Sequence, residues 1–117
     1  MQIRITESAQ SDINEILRWT ANNFGDEAAQ RYLALVTAAI FDVAEDPERV
    51  GSISRPELGP AAMTWHLRLS RSRSSSEVQR PRHFLIYRVV DQHVLLGRVL
   101  HDAMEPSRHM GSDETFE

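Results

Sequence analysis

The spacing of the apolar residues changes once along this chain, and that change constrains the fold more than any other feature. Up to residue 45, apolar side chains recur every three or four positions, as on one face of an amphipathic helix. After Pro47 they alternate with polar residues or form short apolar runs, which is typical of strands. The pattern therefore predicts helices first and most of a sheet afterwards.

The helical part divides in two at Gly25. Thr6 is a suitable N-cap for a first helix, in which Asp12 falls on the solvent-facing side. Asp26 is a suitable cap for a second helix, which ends before Pro47. Because only a short segment joins them, the two helices are predicted to form an antiparallel hairpin.

Two strands and a connector surround this hairpin in the sequence. Residues 2–5 alternate and predict a short N-terminal strand. Residues 47–62 contain three prolines and two glycines, so they are expected to connect elements without regular structure of their own. Residues 63–70 alternate strictly and predict a half-buried strand.

The last part of the chain predicts a loop and a β-hairpin. Residues 70–81 are rich in serine and arginine without periodicity, and we expect a mobile loop there. Two apolar runs, 83–90 and 93–101, flank Asp91-Gln92 and predict two paired strands. Arg88 and Arg98 interrupt these runs and should emerge on a partly exposed face.

These elements predict one α+β domain over residues 1–110. The expected order is β-α-α-β-β-β, with an N-terminal strand and an antiparallel two-helix hairpin packed on one face of a small twisted antiparallel sheet. Residues 111–117 form an acidic tail, expected to be flexible. The sequence has no cysteine, no signal-peptide pattern and no apolar run of ~18 residues, which favours a cytoplasmic protein without membrane contact.

Charge is distributed unevenly along the chain. The formal net charge is -4, and all thirteen basic residues are arginine. Residues 1–50 carry a net charge of -5, residues 51–108 carry +4, and residues 109–117 carry -3. This distribution predicts one cationic surface on an otherwise acidic molecule.

Several classes of enzyme and cofactor site are disfavoured. The chain has no Gly-rich phosphate loop, no His-Glu-x-x-His and no Gly-x-Ser-x-Gly. The serines of the 70–81 loop are poorly placed for a nucleophile that needs firm support. His101 and His109 lack the spacing of a preformed metal site, so neither a metal nor another cofactor is expected.

The arginines of the second half allow three interpretations. They can hold RNA phosphates while a histidine transfers a proton, or they can receive an acidic protein segment, because the guanidinium fork matches phosphate and carboxylate alike. They can also be solvated and paired locally. Of the histidines, His66, His83 and His93 are expected at the surface, whereas His101 is expected at a strand end beside Asp102.

Two groups of motifs carry a family resemblance. The first is Thr6-x-x-Ala9-x-x-Asp12-Ile13-x-x-Ile16 with Phe24-Gly25-x-x-x-Ala29-x-x-Tyr32. The second is Arg82-His-Phe-Leu-Ile-Tyr87-Arg88-Val89 with Arg98-Val-Leu-His101-Asp-x-Met104-x-x-x-Arg108-His109. Together they cover residues 3–110 and resemble the RelE/ParE toxins of bacterial type II toxin–antitoxin modules, the second group being similar to the ParE branch.

The resemblance implies a small toxin that is neutralised by a ParD-like antitoxin, whose disordered C-terminal segment folds on it. RelE-like relatives cleave messenger RNA on the ribosome, whereas ParE-like relatives poison DNA gyrase. Since this chain has no lysine and no tyrosine after Asp102, inhibition of gyrase by binding is favoured over catalysis. A ribosome-dependent endoribonuclease and a non-toxic regulatory relative are the alternatives.

The resemblance also implies the site residues. Those expected to contact the target or the antitoxin are Arg68, Arg82, Arg88, Arg98, His101, Met104, Arg108 and His109. A nuclease would use His101, His109, Arg98 and Arg82. The acidic residues 113–117 lie beyond the motifs and are expected to fold back on the basic face.

Overall fold

A computed structural model of the protein describes residues 1–74, 78–104 and 116. Two long helices and five strands account for most of these residues. The strands are β1 (Gln2–Ile5), β2 (Ile53–Ser54), β3 (Met63–His66), β4 (His83–Val90) and β5 (His93–His101), and the helices are α1 (Glu7–Phe24) and α2 (Asp26–Glu45). No helix within the described ranges is long and apolar enough to cross a membrane.

The strands form one sheet in the order β1-β5-β4-β3-β2. Strands β2 to β5 pair antiparallel, whereas β1 lies parallel to β5 at the edge. The predicted α+β fold is confirmed, with this one difference from an all-antiparallel sheet. Alternation within residues 2–5 cannot indicate direction, because a strand buries the same face in either orientation.

The helix hairpin covers one face of the sheet and builds the main core there. The side chain of Thr6 caps α1 as predicted, accepting from the Ala9 N–H (3.0 Å) and donating to the Gly97 carbonyl of β5 (2.8 Å). Tyr87 lies fully buried in this core, and its hydroxyl donates to the Pro47 carbonyl (2.6 Å). Tyr87 is therefore a core residue.

The third strand is shorter than predicted, because the chain turns into a 3₁₀ helix at Leu67–Ser70. Ser70 is fully buried, and its hydroxyl donates to the carboxylate of Asp42 and accepts from the indole N–H of Trp65. Arg73 also donates to Asp42, at 2.8 Å. The start of the loop predicted to be mobile is therefore anchored to α2, whereas residues 75–77 lie outside the described part of the chain.

The connector between α2 and β3 is more ordered than predicted. It contains β2 and a 3₁₀ helix, Pro56–Leu58. Leu58 and Ala62 are buried against the second face of the sheet, away from the helices. We call this surface the outer face; its apolar cluster consists of Leu58, Ala62, Phe84, Ile86 and Leu100.

Asp12 joins α1 to β5, where it was expected to face solvent. Strand β1 pairs with β5 only as far as Leu96. Beyond that point, Asp12 accepts a hydrogen bond from the Val99 N–H (3.0 Å) and two from the Arg98 guanidinium, at 2.7 and 3.0 Å. The side chain of Asp12 thus takes the place of a neighbouring strand, and it accepts from a backbone N–H of β5 that β1 does not reach.

Replacing Asp12 with alanine should destabilise the fold by about 2–3 kcal/mol. The change removes a charge-assisted pair and leaves the partly buried Val99 N–H and Arg98 without their acceptor. Urea unfolding measures the loss. Glu15→Gln, a charge change one turn further along the same helix, serves as the control, and an equal loss in both variants would contradict this role of Asp12.

Candidate functional site

A cluster of titratable side chains lies where the β4–β5 hairpin ends, opposite its turn. The register pairs His83, the first residue of β4, with His101, the last residue of β5. Their rings meet edge to face, with centroids 5.1 Å apart. Because paired residues point to the same side of a sheet, the register alone brings these two histidines together.

The buried part of this cluster is a tyrosine–histidine pair. The hydroxyl of Tyr32, on α2, donates to Nδ1 of His83 at 2.6 Å and accepts from the Arg82 N–H at 3.3 Å. Burial raises the pKa of Tyr32 to about 12. Burial, with the neighbouring His101, lowers the pKa of His83 to about 4. At neutral pH both groups are therefore uncharged and poorly suited to proton transfer.

The exposed part of the cluster is organised by Asp102. Its two carboxylate oxygens accept from Nε of Arg82 and Nε2 of His66, each at 3.1 Å. Partial burial would raise the pKa of Asp102, but these two hydrogen bonds hold it below its ordinary value. His101 is the most accessible ring, and its Nδ1 accepts from the Ala103 N–H (3.0 Å).

Two histidines expected at the surface belong to this site. His66 bonds to Asp102 across 36 residues, and His83 bonds to Tyr32 across 51 residues. Tyr32 belongs to the motifs that carry the family resemblance, but nothing in the sequence indicates that its hydroxyl binds His83. The signal that could have linked His83 to His101 is the register of the β4–β5 hairpin, which places the two residues opposite each other.

An open cleft of about 960 Å³ lies beside this cluster, between the turn of the helix hairpin and residues 78–83. Its wall is largely apolar and includes Trp19 and Phe24, which are 59% and 69% exposed. Their rings meet edge to face at 5.6 Å. The polar lining includes three arginines, Arg31, Arg80 and Arg82, beside His83, His101, Tyr32, Thr20, Gln79 and one acidic residue, Glu15. Exposed aromatics inside a basic rim are typical of a protein-binding surface.

The predicted site residues fall into separate places. Arg82 and His101 lie at the cleft, Arg68 is exposed at the end of β3, and Arg98 is paired with Asp12. Arg88 and Met104 lie on the outer face. Arg108 and His109, like the predicted domain boundary at residue 110, lie outside the described residues.

The cleft and the histidine cluster are better suited to binding a partner through hydrogen bonds and apolar contacts than to catalysis. Both arginines expected to clamp phosphate already bind carboxylates, Arg82 through Asp102 and Arg98 through Asp12. The hydrogen bond to Asp12 raises the pKa of Arg98, so this guanidinium stays charged at any physiological pH. Across the described ranges, no group of three histidine, aspartate or glutamate side chains is placed to hold a metal ion.

The fold and this site define a small toxin of the RelE/ParE superfamily. Residues 3–106 match the family model described as the ParE toxin of the type II toxin–antitoxin system parDE. The chain therefore belongs to the ParE toxin family.

Two solved structures share the fold. The chromosomal ParDE toxin–antitoxin system from P. aeruginosa matches with a TM-score of 0.64 and 16% identity, over 86% of this chain and 95% of that chain. The toxin–antitoxin complex RelBE2 from Mycobacterium tuberculosis matches with a TM-score of 0.52 and 25% identity over the same shares. A comparison with curated proteins gives no match.

The depressed pKa of His83 predicts a pH-dependent stability. Folded His83 stays neutral down to about pH 4, whereas the unfolded chain protonates this residue near its ordinary pKa of 6.5. The unfolded state thus binds more protons between these values, and stability falls as pH decreases through this window. Allowing for the partial exposure of the ring, we expect a loss of about 2 kcal/mol between pH 7 and pH 4.

Urea unfolding at several pH values measures this loss. His83→Gln keeps an acceptor for Tyr32 without titrating, so its stability should decline less steeply. His93→Gln, at the start of β5, should keep the slope of the parent protein. Identical slopes for His83→Gln and the parent would refute the assignment.

Proposed function

We propose that this toxin acts by binding DNA gyrase and is neutralised by a ParD-like antitoxin. The observation that carries this proposal is the pairing of the two candidate clamps, Arg82 and Arg98, with Asp102 and Asp12. A nuclease needs cations whose charge is available to the phosphate as charge develops on it, and each of these two arginines already faces a carboxylate of the protein itself.

The acid–base groups support the same choice. Burial and the neighbouring His101 lower the pKa of His83 and keep it neutral, and burial raises the pKa of Tyr32 to about 12. This leaves His101 as the accessible candidate in the cluster, and one histidine without a free cationic clamp is a poor catalyst for RNA cleavage. Membership of the ParE family supports gyrase as the target.

Two assays of the purified protein distinguish binding from catalysis. The protein should block ATP-dependent supercoiling by gyrase in proportion to its concentration, and antitoxin added in excess should relieve the block. It should leave mRNA on programmed ribosomes intact. Cleavage that is abolished by His101→Ala, together with unimpaired supercoiling, would overturn the proposal in favour of the endoribonuclease.

The cleft beside the histidine cluster suits the antitoxin. Its exposed aromatics offer anchor points for apolar side chains, and its basic rim complements an acidic segment. The complementarity extends along the sequence, because the half of the chain that supplies Arg80 carries the excess of positive charge. A disordered segment that folds on binding would gain both contacts at once.

Truncating an aromatic of the cleft should weaken antitoxin binding. Trp19→Ala is expected to raise the dissociation constant by about tenfold to thirtyfold, as is usual for a central aromatic anchor. Phe41→Ala is the matched control, because Phe41 is equally exposed, at 58% against 59%, but lies outside the cleft. Isothermal titration calorimetry measures both. Equal affinities for the two variants would place the antitoxin elsewhere.

A further inference from the structure

The outer face of the sheet carries a contact that the proposed function leaves unused. Phe116, the penultimate residue, packs on the apolar cluster of this face beside Met104. Its ring lies against Arg88, with the guanidinium carbon 4.5 Å from the ring centroid. This contact joins residues far apart in sequence and covers apolar surface on the face that the helices leave free.

Arg88 is incompletely satisfied in this arrangement. Its Nε is buried and has no hydrogen-bond partner anywhere in the described part of the chain. Leaving a buried donor unpaired costs free energy, which a carboxylate would recover with a charge-assisted hydrogen bond. The aromatic ring stacks on the guanidinium, but a ring face cannot accept from Nε as a carboxylate does.

The sequence around Phe116 indicates the kind of segment that this face takes. Three acidic residues, Asp113, Glu114 and Glu117, lie within three positions of this aromatic residue in the sequence. The outer face offers the complement, an apolar cluster beside a cation. The face is separate from the cleft, because the Phe84–Leu100 pair is next to the His83–His101 pair in the register and points to the opposite side of the sheet.

We propose that the outer face is an interaction surface for an acidic segment with one aromatic side chain, which Phe116 occupies until the antitoxin replaces it. This rests on the proposed function, since it assigns the antitoxin a second surface beyond the cleft. The C-terminus then acts as a competitor within the same molecule. Antitoxin binding must displace it, so the apparent affinity is reduced by the fraction of molecules in which the face is free.

Antitoxin affinity tests this competition. Full-length toxin is titrated with its purified cognate antitoxin by calorimetry, using Phe116→Ala, Arg88→Gln and the double variant. Phe116→Ala should bind about threefold to tenfold more tightly because the competitor is lost. Arg88→Gln should bind about tenfold more weakly, and Phe116→Ala should have less effect in that background. Phe41→Ala, an exposed aromatic on α2, is the control.

A second measurement follows the displacement itself. Phe116→Trp retains an aromatic ring, and the fluorescence of the introduced indole is obtained by subtracting spectra of the parent protein. Saturating antitoxin should move its emission to longer wavelengths as the indole passes from the apolar cluster into water. This remains decisive if Phe116→Ala fails to fold.

The outcomes separate the two proposals. If Phe116→Ala binds antitoxin as the parent does, or more weakly, or if the indole emission does not move, the competition is refuted while the toxin–antitoxin assignment stands. If the parent protein neither binds a ParD-like antitoxin nor inhibits supercoiling, the proposed function itself fails.

Discussion

The contact between Asp12 and β5 is the interaction on which the rest of this structure depends. Strand β5 lies beside β1 for only part of its length, so its last residues form an open edge. One carboxylate closes that edge by accepting from the Val99 N–H and the Arg98 guanidinium. Since Asp12 belongs to α1, the same contact fixes the helix hairpin relative to the sheet. It thereby helps to position Tyr32 on α2 against His83 on β4.

Internal pairing of charges also explains why the net charge describes this protein poorly. Four arginines bind carboxylates at three places, namely Arg49 and Arg73 at Asp42, Arg82 at Asp102, and Arg98 at Asp12, and all but Arg49 belong to the basic half. The cationic surface that remains is smaller than the sequence suggests. Part of it lies at the rim of an apolar cleft, where it favours an acidic protein segment over an extended polyanion.

The structural features that could be predicted from the sequence are those that depend on residues close together in the chain. The Thr6 cap, the break at Gly25 and the β4–β5 hairpin follow from local capping and alternation, and the structure has all three. The end of β3 at His66 was missed, because it depends on Ser70 reaching Asp42, 28 residues earlier. The alternation of Leu67 and Leu69 extends the strand pattern past the point where that buried contact turns the backbone.

The site was harder to predict than the fold for the same reason. His83 was expected at the surface because it begins a strand. His83 is partly buried because it packs against Tyr32 on another element. The helical pattern around Tyr32 does not indicate which residue its hydroxyl binds. The family resemblance named both Arg82 and His101 as site residues, but it could not show that Arg82 binds the carboxylate of Asp102.

The two faces of the sheet are covered by different kinds of structure. On one face, two helices of 18 and 20 residues provide permanent cover. Among the residues that the structure describes, the outer face is covered by the connector, Met104 and Phe116, so less of its cover is held by regular structure. Displacing a short segment such as the one that carries Phe116 costs less free energy than displacing a helix, because fewer other contacts must break. For a toxin that has to accept and release an inhibitor, the outer face is therefore better suited to exchange than the helix-covered face.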